Sequence, residues 1–277
     1  MPSPRLTHFL CLPLATQSSK PQLQQSLQNF ITTATGEHDV PSKAVRPIGT
    51  IHLTLGVMQL ATEEQIEAAS TFLRALDILE MLKKAEVRPS RTPSEIAEHP
   101  DSTSITTSHP QASCGQISVT ASDPTQVQHV DSPPPPLTVS LSGLESMHTP
   151  TKTSTLYTTP RDSTSRLLTF ATSLREVFTN ANLLVPDKRP LLLHATILNT
   201  LYAKTKSHAK GTGHGKSKSK VEKIDATALL EEFREYVWAK DFRIEKISLC
   251  QMGAKKEVVD GVVVDEEYVE VASVLLP

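Results

Sequence analysis

Cysteine is scarce in this sequence: three among 277 residues, at positions 11, 114 and 250. None belongs to a CxxC pair or a Cys/His cluster, which excludes a zinc site and a disulfide framework. Cys11 and Cys250 fall in expected strands and read as buried, reduced thiols. Long apolar runs are missing too. Nothing approaches the ~20 apolar residues of a membrane-spanning helix, and the short N-terminal apolar run, broken at Pro13, is no secretory leader. No Asn-x-Ser/Thr acceptor occurs. An excess of either charge is also lacking: 28 Lys and Arg stand against 30 Asp and Glu, a net charge of −2, so global charge selects no class of partner. These absences predict a soluble intracellular chain, nuclear or cytoplasmic or both, with no membrane partner.

Hydrophobic residues make up only 38% and prolines number 20, as expected of an ordinary core diluted by other sequence. The dilution has two addresses. Pro89–Pro136 is dominated by Ser, Thr and Pro, has no aromatic residue and closes on four consecutive prolines. It cannot bury enough apolar surface to offset its chain entropy and reads as a disordered insertion inside one domain spanning residues 5–277. Ala203–Lys223 is a lysine-rich second insertion. Its GTGHGKS (Gly211–Ser217) imitates a phosphate-binding loop, but G-x-x-x-x-G-K-[ST] requires glycine at position 210, which is Lys210. Nucleoside triphosphate binding is therefore rejected. Lys204, Lys206, Lys210, Lys216, Lys218 and Lys220 are nucleic-acid contact candidates, against a solvated basic loop or an import signal.

Between these insertions the patterning is regular. His8–Leu14 reads as a strand. After Pro21, Leu23, Leu27, Phe30 and Ile31 recur at helical spacing to about Thr35. Thr62 with Gln65 resembles a capping box that opens one helix to about Ala85, with Ile66, Ala69, Phe72, Leu73, Leu76 and Leu79 on its apolar face. Leu137–Leu144 and Thr155–Thr159 are strand candidates, and a helix starts at Ser163. Asp225 is placed to cap a helix with Leu229, Leu230, Phe233 and Val237 inside. Phe242–Met252 reads as one strand with a bulge near Lys246, and Asp260-Gly261 as a turn. Tyr268–Leu276 is the last strand.

One apolar stretch is written twice. Gly49–Leu60 (GTIHLTLGVMQL) carries His52-Leu53-Thr54, and Pro190–Thr200 (PLLLHATILNT) carries His194-Ala195-Thr196. Both read as buried strands. Alternation puts His52 and Thr54 on one face and Leu53 and Leu55 on the other. His194 and Thr196 do the same, opposite Ala195 and Ile197. A lone strand histidine is usually structural; two in matching frames point to a site. Each motif strand ends a strand–helix–strand unit, the mark of a duplicated lobe. The expected fold is α+β: two pseudo-symmetric, antiparallel-rich sheets flanked by helices, with a cleft where the motif strands face each other.

Two histidines on a common cleft can divide proton transfer between a base and an acid. The threonine hydroxyls can bond phosphate oxygens. No carboxylate cluster accompanies either motif, so no metal or other cofactor is expected. The paired motifs resemble the 2H phosphoesterase superfamily, whose signature is two H-x-[ST]-x motifs. A closer resemblance is to the A-kinase-anchoring-protein nuclear-localisation-signal domain, also found in activating signal cointegrator 1 complex subunit 1. It is carried in order by THFLCLPL (Thr7–Leu14), HLTLGVMQL (His52–Leu60), SGLESM (Ser142–Met147), TLYTTP (Thr155–Pro160), HATILNT (His194–Thr200) and YVEVASVLL (Tyr268–Leu276). The resemblance implies the two-lobed 2H fold and cleavage of an RNA-type phosphodiester, a 2′,5′ linkage or a 2′,3′-cyclic phosphate. His52 and His194 would be catalytic, with Thr54 and Thr196 on the phosphate. It also implies an alternative, a nucleotide- or RNA-binding module within a nuclear coactivator or alkylation-repair complex. Kinase anchoring in that family uses a C-terminal amphipathic helix; this chain closes on a strand, so anchoring is not expected.

Overall fold

The computed structural model describes residues 5–86, 133–203, 222–260 and 262–277. Strand β1 (His8–Pro13) is followed by helix α1 (Lys20–Gly36) and strand β2 (His52–Met58). Pro21 sits in the first turn of α1, where its missing N–H costs nothing. Leu23, Leu27, Phe30 and Ala34 form the buried stripe. Helix α2 (Glu63–Arg74) opens on the expected capping box, Thr62 Oγ1 accepting from the Gln65 N–H at 3.3 Å.

The single helix expected to Ala85 is two. α2 ends at Arg74, and α3 (Ile78–Glu86) restarts because the Asp77 carboxylate accepts the Glu80 N–H at 2.9 Å. Strands β3 (Thr138–Ser146) and β4 (Thr155–Arg161) lead to helix α4 (Arg166–Asn180) and strand β5 (Ala195–Asn199). Asp162 holds the start of α4 by accepting the Leu167 N–H at 2.7 Å.

Helix α5 (Thr227–Glu232) is shorter than expected, and Val237 is not on its inner side: it opens strand β6 (Val237–Arg243) and is half exposed. Asp225 does hold the helix start, accepting from the Thr227 N–H at 3.0 Å. The strand expected over Phe242–Met252 is also divided, β6 ending at Arg243 and β7 (Lys246–Gln251) beginning after two residues. A hairpin of β8 (Lys255–Val259) and β9 (Val262–Glu267) precedes β10 (Glu270–Leu275), and turns at Asp260, whose φ is 51°.

Eight strands form one sheet in the order β10-β7-β1-β2-β5-β4-β3-β6, every pairing antiparallel. The two expected sheets are its two halves. Each half has a β–α–β unit, β1-α1-β2 or β4-α4-β5, whose second strand carries a motif. The motif strands do not face each other: β2 and β5 lie side by side, joined at Leu53↔Ala195.

Only Ile244 and Glu245 connect β6, at one sheet edge, to β7 in the other half. Three extended residue steps span at most about 11 Å, so the sheet curls until the end of β6 lies within that reach of the start of β7. Ile244 donates to the Leu137 carbonyl (2.9 Å), and Leu276 to that of Glu245 (2.8 Å), closing the seam. The slip of alternation near Lys246 is this crossing, not a bulge. Buried faces from both halves, including Leu10, Leu53, Leu55, Ala195, Ile197, Leu141 and Trp238, share one core with Phe30, Phe170 and Phe178 of the helices. Gly143, at φ 76° in the irregular middle of β3, lets the Arg234 carbonyl approach to where a Cβ would be 2.9 Å away. The same glycine's carbonyl accepts the Trp238 indole N–H at 2.8 Å.

Candidate active site

Alternation along β2 buries Ile51, Leu53 and Leu55 and leaves His52 and Thr54 half-buried on the other face. Around β5, Leu193, Ala195 and Ile197 are buried while His194 and Thr196 are not. His194 lies one residue before the strand proper. Continued one residue either way, the Leu53↔Ala195 register sets Thr54 opposite His194 and His52 opposite Thr196. Directly opposed Cβ atoms lie about 4.5–5.5 Å apart and diagonal ones about 7–8 Å. The two histidines are therefore diagonal neighbours. All four motif side chains share one face.

Each imidazole is oriented by the same device. His52 Nδ1 lies 2.7 Å from the Thr50 carbonyl oxygen, and His194 Nδ1 lies 2.9 Å from that of Leu192. A carbonyl can only accept, so Nδ1 carries the proton in both rings, and in the neutral ring Nε2 keeps its lone pair. The Thr54 hydroxyl, 3.0 Å away, donates to Nε2 of His52. An aromatic ring from the strand that opens each β–α–β unit packs each imidazole: Phe9 on His52 (5.0 Å between centroids) and Tyr157 on His194 (5.4 Å). The Tyr157 hydroxyl is itself fixed, donating to Glu145 at 3.1 Å.

The electrostatics are less symmetrical. His52 is pushed down to about 4, chiefly by burial; the Thr50 carbonyl opposes this, and the charges of Arg46 and His194 add to it. It is thus neutral at physiological pH. Tyr268, edge-on to His52 at 5.2 Å, is pushed up to about 12, mainly by burial and by Tyr202, with Arg46 opposing. Arg46 is 5% exposed and stacks over the Tyr202 ring, 3.7 Å from its centroid.

Thr54 and His194 border a cavity of about 660 Å³ with Arg175, Leu184 and Arg189, whereas His52 borders a smaller one of about 130 Å³ with Cys11 and Tyr268. The motif residues are thus neighbours on the sheet face but line different hollows. Cys11 and Cys250 are buried free thiols as expected, with Sγ atoms 3.9 Å apart and Cys11 raised by its bond to Cys250 and by burial. Lys204, Lys206, Lys210, Lys216, Lys218 and Lys220 lie outside the described residues, as do Cys114 and Pro89–Pro136 except for 133–136.

Among the described residues, the one cluster with metal-ligand spacing is Glu37, His38 and Glu232, which includes neither motif histidine. No helix among them is long and apolar enough to cross a membrane.

A family model described as the AKAP7 2'5' RNA ligase-like domain matches residues 6–262. The chain belongs to this family. Among curated proteins, the chain is similar to the uncharacterised protein C15D4.13c of Schizosaccharomyces pombe, 27% identical over 122 residues, which are 44% of this chain and 52% of that one. The chain thus spans about half the length of the curated relative it matches. Among solved structures it is similar to a phosphoesterase (14% identity, 98% of each chain, TM-score 0.43) and to LigT of E. coli complexed with 3'-AMP (12% identity, 98% of each chain, TM-score 0.43). Likenesses so slight carry no argument about substrate.

Sequence reasoning about this AKAP7 2'5' RNA ligase-like domain missed Arg46, Tyr202, Phe9, Tyr157 and Tyr268 as parts of the site. Arg46 and Tyr202 flank the two motif strands, and the aromatics stand in the quoted segments, but their roles depend on contacts across strands that spacing does not reveal.

Proposed function

We propose that this chain is a metal-independent phosphodiesterase acting on RNA-type phosphodiesters, either a 2′,5′ linkage or a 2′,3′-cyclic phosphate. The observation that carries the reading is the pair of imidazoles, anchored through Nδ1 to backbone carbonyls two residues upstream and set diagonally on one sheet face. In this mechanism His52, neutral at pH 7, accepts through Nε2 the proton of the attacking hydroxyl or water. The new P–O bond forms as the old one breaks, and protonated His194 delivers its Nε2 proton to the leaving oxygen. When substrate binds, the Thr54 hydroxyl leaves His52 Nε2 for a non-bridging oxygen, which frees that nitrogen to accept, and Thr196 donates to another, a charge-assisted bond worth about 1.5–3 kcal/mol each. Glu267 and Glu270 border the His52 hollow and Asp187 the His194 one, but among the described residues none is hydrogen-bonded to a motif imidazole, so in this reading the proton transfers fall to the imidazoles.

One observation favours a second reading. The Thr54 hydroxyl is already spent on His52 Nε2, an arrangement that also suits a module that holds an AMP-like phosphate without turning it over. The deciding experiment offers the purified chain 2′,5′-oligoadenylate, 2′,3′-cyclic nucleotides and 3′,5′-linked RNA, with EDTA throughout. Turnover of one class supports the enzyme and names its substrate. Binding of AMP with no turnover of any of them supports the module.

A further inference from the structure

Among the described residues, Arg46 is in no ion pair. Its guanidinium is buried, and its Nη2 has no hydrogen-bond partner among the described residues. Burial of an unpaired charge is costly unless something anionic meets it. Asp265 and Glu266 line with Arg46 a cavity that neither motif histidine borders, yet no ion pair joins either to it among the described residues. Asp265 is committed to the Gly49 N–H (3.3 Å) and to Lys20 (3.7 Å); Glu266 pairs with Lys256 (3.8 Å).

The position of Arg46 is built, not accidental. Its backbone N–H donates to the Ile197 carbonyl on β5 at 2.8 Å, and Val45 bridges Leu198, so its backbone is pinned to the second motif strand while lying six residues before His52. Tyr202, just beyond β5, presents its ring to the guanidinium at 3.7 Å. Tyr268, edge-on to His52, lies within hydrogen-bonding reach of both Tyr202 and Arg46. The charge of Arg46 is felt by both His52 and Tyr268. A planar guanidinium held flat by an aromatic ring, with one edge unspent, matches the geometry of phosphate oxygens.

We propose that Arg46 is an anion-binding side chain of this site, donating from Nη2 to a non-bridging oxygen of the phosphate that His52 and His194 act on. Tyr202 is the positioning residue that holds its plane. The ligand class is a nucleotide phosphomonoester or phosphodiester. This rests on the phosphodiesterase reading for its substrate but not for its test, which needs only binding.

Inorganic phosphate and AMP are titrated into the full chain by calorimetry, and the Arg46 side-chain NH signals are followed by ¹⁵N NMR. Both ligands should shift the Arg46 signals. Arg46→Gln should weaken AMP binding about tenfold to a hundredfold, Arg46→Lys should recover part of the loss, and Tyr202→Phe, which keeps the ring, should change little. If phosphate moves the His52 and His194 signals but leaves those of Arg46 in place, the proposal is overturned, and this measurement on the unaltered chain stands even where Arg46→Gln fails to fold. A folded Arg46→Gln with full AMP affinity overturns it too, and would leave the phosphodiesterase reading intact. Phosphate bound through Arg46 with no substrate turned over would sink that reading and leave Arg46 where it is.

Discussion

Leu53 and Ala195, the middle residues of the two His-x-Thr motifs, are register partners where β2 and β5 join the two halves of the sheet. Both are fully buried. The pair therefore also aligns the motifs, since a one-residue slip of either strand would turn its own histidine into the core. Ala195→Leu should overpack this seam and cost about 1–3 kcal/mol of stability, measured by urea unfolding. Turnover should fall with it, because the alignment of His52 and His194 depends on the same contact. Unchanged stability would mean that the seam is looser than the register implies.

The curl of the sheet makes a separate prediction. Trp238 on β6 packs edge-on against Phe30 of α1 at 5.2 Å, and Ser26 of α1 donates to the Trp238 carbonyl at 2.7 Å. A helix from one β–α–β unit thus rests on the edge strand of the other half. Trp238→Ala should cost about 3–5 kcal/mol, with a loss of cooperativity between the halves visible as divergent tyrosine-fluorescence and circular-dichroism transitions. A change well under 1 kcal/mol would contradict the curled arrangement.

Much of this was legible in the sequence, for identifiable reasons. The stripe of α1, the capping box of α2 and the alternation around both motifs are local signals, and each appears where periodicity put it. What failed was non-local. The division of the helix at Ala75 turns on a single capping carboxylate, Asp77, within a continuous apolar pattern. The two residues between β6 and β7 look like a bulge because Ile244, fully buried, keeps the hydrophobic run unbroken. That the motif strands are neighbours rather than opposed is a matter of strand order, which alternation does not encode. Arg46 could not be singled out, since a lone arginine in a loop carries no pattern.

The lowered His52 sets a pH dependence. Its folded pKa lies below that of a free imidazole, so between about 4 and 6.5 the unfolded chain binds more protons than the folded one, and stability rises with pH across that window. Acid should accordingly destabilise the fold from near pH 6.5 downward, and His52→Gln should flatten that slope in urea titrations. In kcat/KM the acid limb, which reports the free base, should fall well below pH 6.5. An acid limb at 6.5 or above would place the base elsewhere.

The thiols give a simple check on burial. Cys11 and Cys250 are both held in the β1–β7 pairing and Cys11 is raised as a thiol, so neither should react with a thiolate-selective reagent in the native chain at pH 7. Peptide mass spectrometry should find them labelled only after denaturation. Rapid native labelling of either would mean that this pairing opens readily.

The most direct measurement is the turnover of His52→Ala, His194→Ala and the double variant on the phosphodiester that the intact chain cleaves fastest, with EDTA present. Each single change should cost on the order of 10²–10⁴ in kcat, and the double change little more than the worse single one, because the two rings act as a unit. Thr54→Ala and Thr196→Ala should each cost about tenfold to a hundredfold. Full activity in either histidine variant, or its abolition by EDTA in the unaltered chain, would contradict the two-histidine mechanism outright.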